Sequence, residues 1–203
     1  RTFYSTTMDG KVCATWVQAG REKRTFGVDG MLSTGVVWAS DLLLCDPMLF
    51  VAGAIELAPG TFQGVIKNYD LSHYTDDCAG TFMGHTGRVR SIDVPGRLAE
   101  GGVGNSSFTP RLLISGADDG TVRFWDVAEA RAIVEVPAHQ EGVHVVKSDP
   151  SNRNVVYTGG KDGAIKLWDV RERECAATFI VPEVITNEGP ARPIADLTLT
   201  SDG

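Results

Sequence analysis

The residues best equipped for chemistry in this 203-residue chain are four histidines, four cysteines and two adjacent acid pairs. A metal ion needs ligands at short, convergent spacings. The histidines (His73, His85, His139 and His144) offer none; His139 and His144 come nearest, five positions apart. Cys13, Cys45, Cys78 and Cys175 are widely separated, with no Cys-x-x-Cys and no neighbouring His pair. That argues against a structural zinc site and against a disulfide framework. They read instead as buried free thiols of a reducing compartment. Asp76-Asp77 and Asp118-Asp119 read as turn chemistry, because Asp accepts hydrogen bonds from nearby backbone N–H groups. Gly101-Gly102-Val103-Gly104 lacks the Lys and the helix pattern of a phosphate-cradling loop. No catalytic constellation has a specific layout. The expectation is a non-enzyme with no metal and no cofactor.

Composition bounds the rest. Hydrophobic residues make up 42% and charged residues 22%, a globular balance too apolar for a disordered chain. The formal net charge of -7 disfavours direct nucleic-acid binding, whose footprint is basic. The longest apolar stretch, around 36–51, is interrupted by Ser40, Asp41 and Asp46-Pro47, so no segment resembles a membrane span. The opening Arg1-Thr2-Phe3-Tyr4-Ser5 has neither an initiator Met nor a signal-peptide layout, which suggests a piece of a longer chain in the cytoplasm or nucleus.

The elements that carry these residues repeat. Ile114-Ser115-Gly116-Ala117-Asp118-Asp119-Gly120-Thr121-Val122-Arg123-Phe124-Trp125-Asp126-Val127 aligns without gaps on Tyr157-Thr158-Gly159-Gly160-Lys161-Asp162-Gly163-Ala164-Ile165-Lys166-Leu167-Trp168-Asp169-Val170, 43 residues later. Tyr4 to Trp16 repeats the pattern with one extra residue, and a weaker copy ends in Val65-Ile66-Lys67-Asn68-Tyr69-Asp70-Leu71. In each copy a β-rich run meets Asp-Gly, a two-residue turn signal, and a second alternating run follows. Period-two alternation points Val122 and Phe124 one way and Arg123 and Trp125 the other. No long stretch keeps a helical period, so the class is all-β.

The Asp-Gly and Trp-Asp signatures, with Gly84-His85 and Ala138-His139 upstream, resemble WD-repeat β-propeller blades of four antiparallel strands. The resemblance implies blade remnants over 1–28, blades over 36–83, 88–136 and 142–181, and the start of another over 192–203. About four blades make an incomplete ring, a fragment of a seven-bladed propeller. It also implies a structural tetrad per blade: His85, Ser115, Asp119 and Trp125 in one, His139, Thr158, Asp162 and Trp168 in the next. These groups are tolerable in a core because they satisfy one another, and so are not read as a hydrolase triad. The first blade retains only Ser5 or Thr6, Asp9 and Trp16. The second has Tyr69 for Trp, with 56–64 replacing the short turn. Two long insertions, 95–110 and 182–193, are candidate recognition loops.

What the resemblance implies for function is a non-catalytic scaffold that assembles other proteins within a multi-subunit complex. Rim candidates are Arg88, Arg90 and Asp118 from one blade and His144 and Lys161 from the next. Two alternatives are a substrate receptor of a cullin–RING ubiquitin ligase and a propeller subunit of an RNA-processing or ribosome-biogenesis particle. For the first, Asp162, Trp168, Asp169 and Arg171 match the docking box of such receptors.

Overall fold

In a computed structural model, residues 2–18, 21–24, 31–72, 77–96, 110–180 and 192–200 are described. They form four antiparallel sheets of four strands, and no helix occurs among them. The first sheet contains β1 (Thr2–Thr6), β2 (Lys11–Gln18), β3 (Arg21–Arg24) and β4 (Met31–Ser33). The second runs in order through β5 (Val37–Cys45), β6 (Met48–Ala58), β7 (Thr61–Asp70) and β8 (Cys78–Met83). The third comprises β9 (Val89–Asp93), β10 (Leu112–Ala117), β11 (Thr121–Asp126) and β12 (Arg131–Pro137). The fourth comprises β13 (Val143–Ser148), β14 (Val155–Gly160), β15 (Ala164–Asp169) and β16 (Glu174–Ile180). The all-β expectation holds, and the described sheets do not close a ring.

Adjacent sheets bury one another's facing sides, because alternation sends apolar side chains to both faces. Tyr69, Leu49 and Val65 pack toward Val12 of the first sheet. Phe50, Ile66 and Phe82 of the second sheet meet Ile92, Leu113 and Trp125 of the third. Val122 and Phe124, on the opposite side of β11 from Trp125, meet Val143, Val146 and Trp168 of the fourth. The leading strands sit side by side in chain order, β5 against β9 and β9 against β13. Carboxylates staple them: Asp41 accepts the Ile92 N–H at 2.9 Å and the Ser91 hydroxyl at 3.1 Å, while Asp93 accepts the Ser148 N–H at 2.7 Å.

The far face of the fourth sheet is less covered. Ile165 and Leu167 are half-buried, whereas their repeat equivalents Val122 and Phe124 are buried. Residues 78–82 and 175–179 read Cys-Ala-Gly-Thr-Phe and Cys-Ala-Ala-Thr-Phe, yet Phe82 is 1% exposed and Phe179 51%. The difference is the neighbouring sheet and not the sequence. Residues 192–200 form no strand; the Ile194 N–H donates to the Gly160 carbonyl at 3.0 Å.

Three expectations change. The Asp-Gly turn is not a two-residue loop: the Gly120 N–H donates to the Ala117 carbonyl at 3.1 Å, with Gly120 at φ +80°. A Cβ on Gly120 would lie 2.3 Å from the His139 carbonyl oxygen, so glycine is required both by the backbone and by the chain packed against it. Residues 56–64 do not replace a turn. There β6 and β7 stay paired out to Ala58–Thr61 around a tight Pro59-Gly60 tip, whereas β10 and β11 stop pairing at Gly116–Val122. The cysteines are not all buried. Cys45 is buried and Cys13 intermediate, but Cys78 and Cys175 are exposed, because both occupy outermost strands. Titration of the native chain with a thiol reagent therefore labels Cys78 and Cys175 at once and Cys45 only on unfolding; equal rates for all would contradict this placement.

Several sequence features lie outside the described residues: His73, Asp76, most of the insertions at 95–110 and 182–193, and 201–203.

Candidate functional site

The most organised polar groups sit between sheets. The indole of Trp125, held by β11, donates to the Ser115 hydroxyl at 2.8 Å. Ser115 lies 2.8 Å from His85 Nε2, and His85 Nδ1 is 2.9 Å from Asp119 Oδ2. A complete relay follows when indole N–H feeds hydroxyl oxygen, hydroxyl O–H feeds Nε2, and Nδ1–H feeds the carboxylate. Asp119 also accepts the Thr86 N–H at 2.9 Å, the Thr121 N–H at 3.0 Å and the Thr121 hydroxyl at 2.8 Å. The fourth sheet repeats the device. Trp168 Nε1 donates to Thr158 at 2.9 Å, Thr158 lies 2.9 Å from His139 Nε2, and His139 Nδ1 is 2.9 Å from Asp162. Where Thr121 supports Asp119 with a hydroxyl, Ala164 supports Asp162 with only its backbone N–H, at 3.1 Å.

Electrostatics follow from burial. Desolvation by itself raises the Asp119 carboxyl, but the hydrogen bond from His85, its charge attraction and the donors of Thr121 outweigh it and hold the group far below the carboxylate range. Asp162 is lowered in the same way, with desolvation opposed by the Ala164 N–H and His139. His139 is lowered because burial outweighs the pull of Asp162, so the ring is neutral at pH 7. None of this activates a nucleophile. Ser115 is 0% exposed, with indole and imidazole occupying its hydrogen-bonding sites, and no substrate reaches it.

The earlier repeats differ at these positions. Ser5 and Asp9 are exposed, with the Thr7 hydroxyl donating to Asp9 and Lys11 beside it. The side chain of Trp16 is outside the described set. Tyr69 is buried by packing in the apolar cluster between the first two sheets.

The rim residues gather around one carboxylate. Arg90 Nε donates to Asp118 at 2.6 Å, and Arg88 Nε lies 3.6 Å from its other oxygen. Both arginines, with Ser40, His144 and Ala195, line an open cleft of about 280 Å³. Lys161 is turned away and pairs with Glu141 at 3.3 Å. Arg171, expected from the docking-box match, grips Asp169 of the same box through Nε at 3.1 Å and an outer nitrogen at 2.7 Å. That grip holds the half-buried Asp169 carboxyl down at about 2.

Sequence reasoning missed Trp38, Phe62 and Met8, which line a second cleft of about 440 Å³ with Arg88 and Asp118. The one signal that could have found them is the lengthened β6–β7 hairpin, since a wall needs something to stand against it.

The WD domain, G-beta repeat family matches residues 76–126 and 131–169. Among curated proteins, ribosome biogenesis protein ERB1 of Ajellomyces capsulatus is 35% identical over 88 residues, 43% of this chain and 10% of that protein. The protein of that name in Yarrowia lipolytica is 30% identical over 88 residues, 40% of this chain and 9% of that protein. The chain thus spans about a tenth of the length of these relatives. Among solved structures, a chain of the mitotic checkpoint complex superposes with a TM-score of 0.67 over 88% of this chain and 47% of its own length. At 18% identity that likeness shows the fold alone.

Proposed function

We propose, from a chain whose residues 76–126 and 131–169 are WD repeats, that this protein is a non-catalytic platform holding other proteins together within a ribosome-biogenesis particle of the nucleus. One observation carries the reading. In the two described relays the hydroxyls and imidazoles are buried and, with half-buried Asp119 and Asp162, mutually satisfied, while Arg88, Arg90 and His144 are gathered at an open cleft. A stiff stack of sheets with a polar, accessible rim is suited to recognition, because little entropy is lost on docking. The relatives' name supports the particle. The net charge of -7 favours entry through protein contacts and not by gripping RNA.

Affinity purification of the full-length protein, with and without ribonuclease, tests this. The expected result is a set of pre-ribosomal proteins that persists after the RNA is digested. Loss of every partner on digestion, or recovery of the protein alone, overturns the reading.

A further inference from the structure

We propose that the cleft beside Trp38 is a docking site for a short acidic segment of a partner protein that presents an aromatic or large aliphatic side chain next to Asp or Glu. This rests on the platform reading above and names the chemistry of what such a platform would take.

Trp38 is the anomaly that points there. A large aromatic residue normally avoids positive φ, yet Trp38 sits at φ +50° where the β5–β6 register shifts between Val37 and Asp41. Its N–H is tied to the Met8 carbonyl at 2.7 Å. The conformation does not serve the core, because Trp38 is 40% exposed. The ring is nevertheless positioned: it stacks on Phe62 with centroids 4.2 Å apart and planes 38° apart. Phe62 belongs to the overshooting end of the β6–β7 hairpin, which supplies the wall. Met8, 69% exposed, comes from the first sheet, so three sheets contribute to one cleft when Arg88 and Asp118 are counted. Aromatic, Met and Arg side chains converging on a concavity are the composition of an interface centre.

Charge selects the occupant. Asp118 is shared by Arg88 and Arg90, so its charge is more than matched. The adjoining cleft, lined by Arg88, Arg90 and His144, has no carboxylate among the described residues of its wall. Asp9 is paired with Lys11 at 3.4 Å, and Glu56 is turned to the hairpin tip, where it accepts the Gly60 N–H at 3.0 Å. An approaching Lys or Arg meets uncompensated positive charge; an approaching carboxylate meets the planar fork of an arginine.

The test is fluorescence polarisation of the full chain with labelled short peptides: Phe flanked by Asp, Phe flanked by Lys, and Ala flanked by Asp. The Asp-flanked Phe peptide is expected to bind about tenfold or more tighter than either control, a difference of about 1.4 kcal/mol. Trp38→Ala should abolish that preference for Phe over Ala at an unchanged thermal midpoint, and Ile133→Ala on β12 should leave it intact. Arg88→Glu provides the arm that does not depend on the Trp38 variant folding: it should transfer preference from the Asp to the Lys peptide. Equal binding of Asp- and Lys-flanked peptides, no binding of the Phe peptide, or indifference to Arg88→Glu overturns the site. If affinity purification still recovers partners while the peptide fails, this cleft is wrong and the platform stands; if no partner is recovered, the platform reading fails.

Discussion

Trp125→Ala should lower the unfolding free energy by about 3–5 kcal/mol, the range for deleting a large buried aromatic. Trp125 is 1% exposed and touches two sheets. Its ring lies edge-on to Phe82 at 5.8 Å and near His85 at 5.9 Å, with the Arg123 guanidinium 5.7 Å from its centroid. Truncation leaves a cavity between sheets that carboxylate staples hold in place, and it also removes the donor that Ser115 receives. Trp125→Phe separates the two effects: it keeps most of the packing and removes the N–H, and should cost about 1–2 kcal/mol. Urea midpoints of the three proteins make the comparison. A Trp125→Ala midpoint equal to that of the unmutated chain would mean the indole is solvent-exposed and the relay absent.

Acid should destabilise the protein in two stages, and Asp119→Ala should remove much of the second. His139 has a folded pKa below its unfolded one, so the unfolded chain binds the proton more readily. Stability is therefore greatest above about pH 6.5 and declines as the pH falls below that value. Asp119 and Asp162 are also lowered, which makes their contribution complete above the unfolded carboxylate value of about 4 and lost progressively below it. Asp119→Ala leaves the His85 Nδ1 and the N–H groups of Thr86 and Thr121 without their acceptor, at a cost of about 1–3 kcal/mol at pH 7. Its stability should then fall less steeply below pH 4 than that of the unmutated chain. Parallel acid limbs in denaturant titrations across pH would show that Asp119 is not the group being titrated.

Much of the framework was legible in residue order. The 43-residue offset between Trp125 and Trp168 located two sheets, and period-two alternation assigned Val122 and Phe124 to the side opposite Trp125. The two four-residue sets around Ser115 and Thr158 could be named because the resemblance to WD-repeat blades implies them at those positions. The rim was only partly legible. Arg88, Arg90 and Asp118 converge, whereas Lys161 pairs with Glu141, a carboxylate twenty positions earlier that the fold places beside it. Trp38 and Phe62 were overlooked because a local pattern counts an aromatic in a strand as core.

What residue order alone determined is therefore periodic: strand alternation, turn glycines, and which side chains share a face. These depend on backbone geometry within one hairpin, which a short stretch of sequence encodes. Tertiary structure decided which faces are covered and which charges find partners. Phe82 and Phe179 stand in near-identical sequences, yet one is buried and the other exposed, since burial belongs to the sheet packed opposite. The cleft at Trp38 has the same origin: its walls come from three sheets, and no single repeat contains it.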